Sequence, residues 1–255
     1  MSVPGRGRRA LRPRADWESR PSDSRPSVRM VDDVPDRGEL LTALTTEHFT
    51  LQGARSQAMS ESSSRAALYI GAVSSTLVAL GFLGQLSLGG DTFNTFALTV
   101  LPTLYLLGVF TFVRLVECGA EDFRYGLAIN RIRGYYKQLA EDQADLFLLS
   151  GHDDGLGVFA NAAVPPEGRN HYFTFGSVVA VINSVVGGSA VAIALGAFVN
   201  ASLGPAAGAG VAVAIVSVIA LLRFAGRLLD ARTRGVEPLF PSRSAGGAPP
   251  AEPEH

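Results

Sequence analysis

"FALTVLPTLYLLGVFTFVRLVECGAEDFRYGLAINRIR", residues 96–133, changes character at Arg114 without losing its helical rhythm. Residues 96–113 contain no Asp, Glu, Lys, Arg or His and are long enough to cross a bilayer. From Arg114 onward nearly every turn carries charge, which a hydrocarbon environment does not tolerate. One helix that passes from lipid into water decides the fold class, and three more charge-free runs complete it: 66–88, 173–199 and 203–222. The chain reads as an all-α membrane protein with four transmembrane helices arranged as two hairpins, 66–113 and 173–222, accompanied by cytoplasmic amphipathic helices.

Composition agrees. Of 255 residues, 47% are hydrophobic and only 18% charged, low for a soluble chain of this length. The net charge of −1 hides an asymmetry that orients the molecule. Loops 89–95 and 200–202 hold no Lys or Arg, whereas the 22 basic residues lie before the first run, between the second and third, and after the fourth. The positive-inside rule then makes both termini and the central segment 114–172 cytoplasmic, and the Arg, Ala and Gly richness suggests the cytoplasmic membrane of a bacterium. Tyr69 and Tyr172 are expected as aromatic anchors at the headgroups.

Residues 1–37 and the end of the 223–255 segment, from 236, are rich in Arg, Pro, Ser, Gly and Ala and are expected to be disordered tails. Organised sequence starts only after Met30, which competes with Met1 as the true start. Residues 38–65 carry Leu44, Leu51 and Ala58 at heptad spacing, a narrow amphipathic helix that needs a partner.

Helices in lipid associate through small residues that let backbones approach. Three ladders at four-residue spacing are available: Ala67, Gly71, Ser75 and Ala79; Ser184, Gly188, Ala192 and Gly196; Gly204, Gly208 and Ala212. Gly71, Ser75, Ser184, Gly188, Gly204 and Gly208 are the expected packing residues. Asn183 and Gln85 are the notable polar residues within the spans, and Pro102 is placed to kink the second.

After Arg114, the residues Arg114, Glu117, Glu121, Arg124 and Arg131 recur at spacings of three, four and seven. Beside them runs an apolar seam of Cys118, Tyr125, Ile129, Ile132, Tyr136, Leu139 and Leu146. A seam flanked by charge is how water-exposed helices pair, so the helix is expected to continue to about Leu149 and to offer Arg114, Glu117, Glu121, Arg124, Tyr125, Ile129, Arg131, Ile132 and Tyr136 as an interaction face. Arg124, Arg131, Arg133 and Lys137 are candidates for lipid-headgroup contact. Glu117 and Glu121 stand among arginines, the setting of an ion-pair network. Cys118 lies on the apolar stripe and reads as a buried thiol; as the one cysteine it excludes an intramolecular disulfide.

No phosphate-binding loop, nucleophile elbow or H-E-x-x-H motif is present. "SGHDDGLG", residues 150–157, holds His152, Asp153 and Asp154, but three adjacent residues do not readily surround one ion, and the string reads as a turn. The reading is therefore a protein without catalytic, cofactor or metal sites and without a nucleic-acid partner.

Two strings, E-H-F-x-L-Q-x-x-R at 47–55 and E-D-x-x-Y followed by I-N-R-I-R at 121–133, resemble a group of uncharacterised actinobacterial four-span integral membrane proteins over roughly residues 38–230. That resemblance implies the architecture above and brings no activity. A looser architectural similarity is to SLATT-type membrane effectors of nucleotide-signalled defence systems. The function expected is an oligomeric, non-enzymatic scaffold or sensor in the lipid bilayer; a pore-forming effector and a small-solute transporter using Asn183 and Gln85 are the alternatives.

Overall fold

The computed structural model describes residues 36–86, 90–163 and 175–242. Five α-helices follow in order, α1 Arg37–Gln85, α2 Gly90–Ala140, α3 Gly155–Asn161, α4 Phe175–Val199 and α5 Leu203–Thr233, with a 3₁₀ turn at Glu141–Leu146. The described residues contain no strand. Residues 36–40 form the opening turn of α1, where the Leu40 N–H donates to the Asp36 carbonyl at 3.0 Å. The packed body of the molecule begins at Leu41.

Helices α1, α2, α4 and α5 each contain a stretch long and apolar enough to cross a membrane, the property of a multi-pass membrane protein. Lipid offers the backbone no hydrogen bonds, so a helix that satisfies its own is the natural state of such runs. Threonine and serine hydroxyls follow the same logic. Ser75 donates to the Gly71 carbonyl at 2.9 Å, Thr99 to Thr95 at 2.8 Å and Thr103 to Thr99 at 2.9 Å. α2 runs through Pro102 without ending.

Both long helices cross from the apolar to the charged regime unbroken. Residues 38–65, expected as a separate amphipathic helix, and the first apolar run form a single 49-residue helix, α1. α2 stops at Ala140, short of the expected Leu149. Glu141 there adopts a left-handed φ of 47°, and the acid-rich turn it opens is disfavoured at the negative end of a helix dipole.

α4 packs against α5 and α2, and α2 also touches α5. α4 and α5 approach closely at Gly188 and Gly210: a Cβ on either would overlap the carbonyl oxygen of the other. Gly188 lies in this contact, and Ser184, one turn before it, is buried as well. On α5 the buried small residues are Ala206 and Gly210, and Gly204 and Gly208 are exposed with no atom near them. Two residues of offset rotate a helix by about 200°, which turns the expected ladder outward. α1 differs in the same way. It buries Ala58, Ser62, Ala66, Tyr69 and Val73, leaving Gly71 and Ser75 exposed. Tyr69, expected at a headgroup, is 1% exposed in the core among Phe112, Leu115 and Val179. Tyr172 and the tails at 1–35 and 243–255 lie outside the described residues.

Candidate functional site

Polar chemistry concentrates at three levels of the bundle. The deepest is a seam within the spans. Tyr69 donates to Asn183 Oδ1 at 2.9 Å, and Gly108 makes room for the pair, since a Cβ there would overlap the Asn183 amide. Asn183 Nδ2 has no partner among the described residues. The next residue, Ser184, donates to Ser217 at 3.2 Å, and the Tyr105 hydroxyl lies 3.0 Å from the Ser217 hydroxyl. Gln85 does not join them: it sits sixteen residues beyond Tyr69, about 24 Å along the same helix.

The second level is an ionic collar where the apolar runs end. Arg114 forks onto Glu61 of α1, with Nε at 2.9 Å and Nη2 at 3.0 Å from its two oxygens. Its remaining nitrogen reaches Glu117 at 3.3 Å and Glu121 at 3.2 Å. Arg65 adds a 2.8 Å bond to Glu61, and Arg232 of α5 lies 3.5 Å from Glu117. Next outward, Arg55 forks onto Asp122 at 2.6 and 3.2 Å. The Glu61 carboxyl is held down to about 2, chiefly by its bond from Arg114 and then by Arg65. The same bond raises the Arg114 guanidinium above its ordinary value. The sequence placed Arg114, Glu117 and Glu121 together; it did not supply Glu61, the residue that ties α2 to α1. Arg124, expected on the same face, is exposed and has no ionic partner among the described residues.

The third level is built by the I-N-R-I-R segment. Asn130 Nδ2 donates to the His152 carbonyl at 2.9 Å, while its Oδ1 accepts from Arg133 and Asn161, each at 2.8 Å. Asn161 also accepts from the Ser150 N–H at 2.7 Å, so loop 150–154 and α3 are folded back along α2. Arg131 leaves the collar and binds Asp153 at 2.6 Å. Asp153, 1% exposed, also accepts from the N–H groups of Leu239 at 3.0 Å and Phe240 at 2.7 Å. Asp154 accepts from the N–H and hydroxyl of Ser242, at 2.5 and 2.7 Å, and from the Gly157 N–H at 2.8 Å. The Phe240 ring fills a notch over Gly134, where a Cβ would overlap both the ring and the Gly151 carbonyl.

Residues 237–242 are therefore a strap tied across the loop, not the free tail expected from composition. Burial pushes both carboxyls up, but the Phe240 and Leu239 amides with Arg131 outweigh it for Asp153. For Asp154 the Gly157 amide, with the Ser242 amide and hydroxyl, has the same effect, so both sit below the ordinary range.

No known protein family, characterised protein or solved structure matches the chain.

Of the expected interaction face, Ile129 and Ile132 are buried, Tyr125 and Tyr136 are half-buried, and the Tyr136 hydroxyl lies 3.2 Å from that of Thr45 on α1. Part of the seam's partner is thus the same chain. Cys118 is buried, and burial raises its thiol. The Asp153 carboxylate already meets three donors and is committed to structure. Among the described residues no three His, Cys, Asp or Glu side chains gather closely enough to hold a metal ion.

Several leucines stay exposed at this end, among charged and polar neighbours such as Glu141, Asp142, Asp145 and His152. Leu146 is 81% and Leu148 94% exposed, with Leu149 and Leu156 also open.

Proposed function

We propose that the chain is a non-enzymatic scaffold or sensor of the bacterial cytoplasmic membrane, with two transmembrane hairpins and both termini cytoplasmic. Its charged end is the working end, where it assembles with further copies of itself or with a protein partner.

The exposed leucines carry this reading. Ala140 lies about 40 Å along α2 beyond Val113, the last residue of the apolar run, at 1.5 Å per residue. The chain then turns back, and Arg133 meets the Ser150 carbonyl at 3.2 Å. Leu146, Leu148 and Leu149 consequently stand on the order of 30 to 40 Å above the apolar boundary, and even a tilt of about 40° leaves them beyond the headgroups. Lipid is out of reach, and open leucines clustered in water mark a protein contact.

The resemblance to actinobacterial membrane proteins belongs to this proposal, and the motifs that carry it have work here: Arg55 and Asp122, one from each, pair with each other, and Asn130, Arg131 and Arg133 fold the loop. The pore-forming alternative draws less support, because the outward hydroxyls of Thr99 and Thr103 are spent on their own helix.

The test is the size of the detergent-solubilised protein and what co-purifies with it from native membranes. Wild type is expected above monomer mass or with a stoichiometric partner, and Leu146→Glu with Leu148→Glu reduces it to a folded monomer. A wild-type monomer with nothing bound overturns the proposal.

A further inference from the structure

Most cations near the apolar boundary are paired: Arg55, Arg65, Arg114 and Arg232 all meet carboxylates. Two on α5 are not. Arg223 and Arg227 are exposed and have no ionic partner among the described residues. They lie four residues apart, so they are neighbours on one face, and that face continues toward the helix start through exposed Val216 and Ile219. An outward apolar stripe on a spanning helix faces lipid, and this one ends in two guanidiniums.

Their depth follows from contacts between α2 and α5. Tyr105 meets Ser217, and Glu117 meets Arg232. Interpolation between these ties sets Arg227 level with Val113, at the end of the apolar run, and Arg223 about one turn deeper, near Phe110, which is itself exposed. A guanidinium at that depth extends along its own stem toward the headgroups. Side by side, two planar forks match the oxygens of a phosphate, which accepts bidentate bonds. Asp230, next along the stripe, lies 3.8 Å from Arg234, so the face stays net positive.

We propose that Arg223 and Arg227 form a headgroup site for an anionic phospholipid. The site rests on the membrane reading alone and is independent of any protein partner. Zwitterionic lipids carry their own counter-charge beside the phosphate; an anionic lipid leaves it uncompensated and is preferred.

The test uses the full chain in nanodiscs of phosphatidylcholine with and without phosphatidylglycerol, read by thermal unfolding and by lipid retained in native mass spectrometry. Wild type is expected to retain phosphatidylglycerol over phosphatidylcholine and to melt higher in its presence. Arg223→Gln with Arg227→Gln brings both readouts to parity while the chain keeps its helical content. Arg124→Gln is the control: Arg124, expected from the sequence as a headgroup contact, stands about 15 Å further from the boundary than Arg114, too far to reach the headgroups, and its loss should leave the preference intact. The proposal is overturned by a wild type without preference, by a preference that survives the double substitution, or by equal loss in the Arg124 control, which indicates a diffuse field. Equal stabilisation of the detergent-solubilised protein by inorganic phosphate also overturns it, in favour of a free-anion site.

Discussion

Asp153→Asn tests how the strap is held. The substitution keeps shape and removes charge, and it points an amide N–H₂ at donors that approach within 3.0 Å: Arg131 and the backbone N–H groups of Leu239 and Phe240. A hydrogen bond to a buried charged acceptor is worth about 1.5 to 3 kcal/mol, and breaking a buried pair costs about 3 to 5 kcal/mol. The Asp153 side chain is fully enclosed, but Arg131 is 37% exposed and regains water, which places the loss at the lower end, about 3 kcal/mol. That figure applies to opening of the strap, since the spans do not depend on it.

Amide hydrogen exchange reads such an opening directly. About 3 kcal/mol lowers protection of the Leu239 and Phe240 amides roughly 150-fold, with α4 and α5 unaffected. The pH dependence carries its own sign. A carboxyl held below its ordinary value stabilises above that value, near 3.8, and the contribution disappears as pH falls through the lower folded value. Wild-type strap protection should be flat from neutral pH to about 4 and fall below it. Unchanged protection in Asp153→Asn, or strap amides already unprotected in wild type, overturns this assignment of the strap's anchor.

Other substitutions probe the remaining levels. Gly210→Leu forces α5 off α4 and should cost at least about 1 to 3 kcal/mol of stability in detergent, whereas Gly208→Leu, in open space, should be near neutral in the isolated chain. Tyr69→Phe removes the donor to Asn183 and should cost about 0.6 kcal/mol by thermal unfolding, the usual size of an interhelical hydrogen bond in a membrane. Gly134→Val closes the notch over which Phe240 sits and should expose residues 237–242 to protease without lowering helical content. Infrared titration of the Glu61 carboxylate should show it ionised down to about pH 2 in wild type and shifted upward in Arg114→Ala, though still below the ordinary range because Arg65 keeps its 2.8 Å bond.

The spans were legible because lipid excludes charge, and charge-free runs of this length have few other uses. Helix continuity across the boundary was legible for α2, whose periodicity runs through Arg114. It was also present in α1, where no Gly or Pro separates Gly53 from Gly71. Contact registers were not legible. α5 carries Gly204, Gly208 and Ala212 at the same spacing as Ala206, Gly210 and Ala214, and only the position of Gly188 on α4 selects between them. The collar was half legible for the same reason: Arg114, Glu117 and Glu121 are local, while Glu61 arrives from another helix. The strap left least trace, because its bonds join Asp153 to the backbone of residues more than eighty positions away, and backbone donors carry no sequence signature. The apolar pair in "PLFP", residues 238–241, inside an otherwise Pro, Gly and Ala segment was the one hint.

Every role proposed for the charged module depends on its standing on the cytoplasmic side of four spans. Single-cysteine labelling with a membrane-impermeant maleimide tests that placement, since Cys118 is buried and provides a quiet background. Gln143→Cys should label in inside-out vesicles and not in intact cells, Ser202→Cys should do the reverse, and Leu107→Cys should label in neither. Labelling of Gln143→Cys from outside intact cells, or of Leu107→Cys from either side, is incompatible with it.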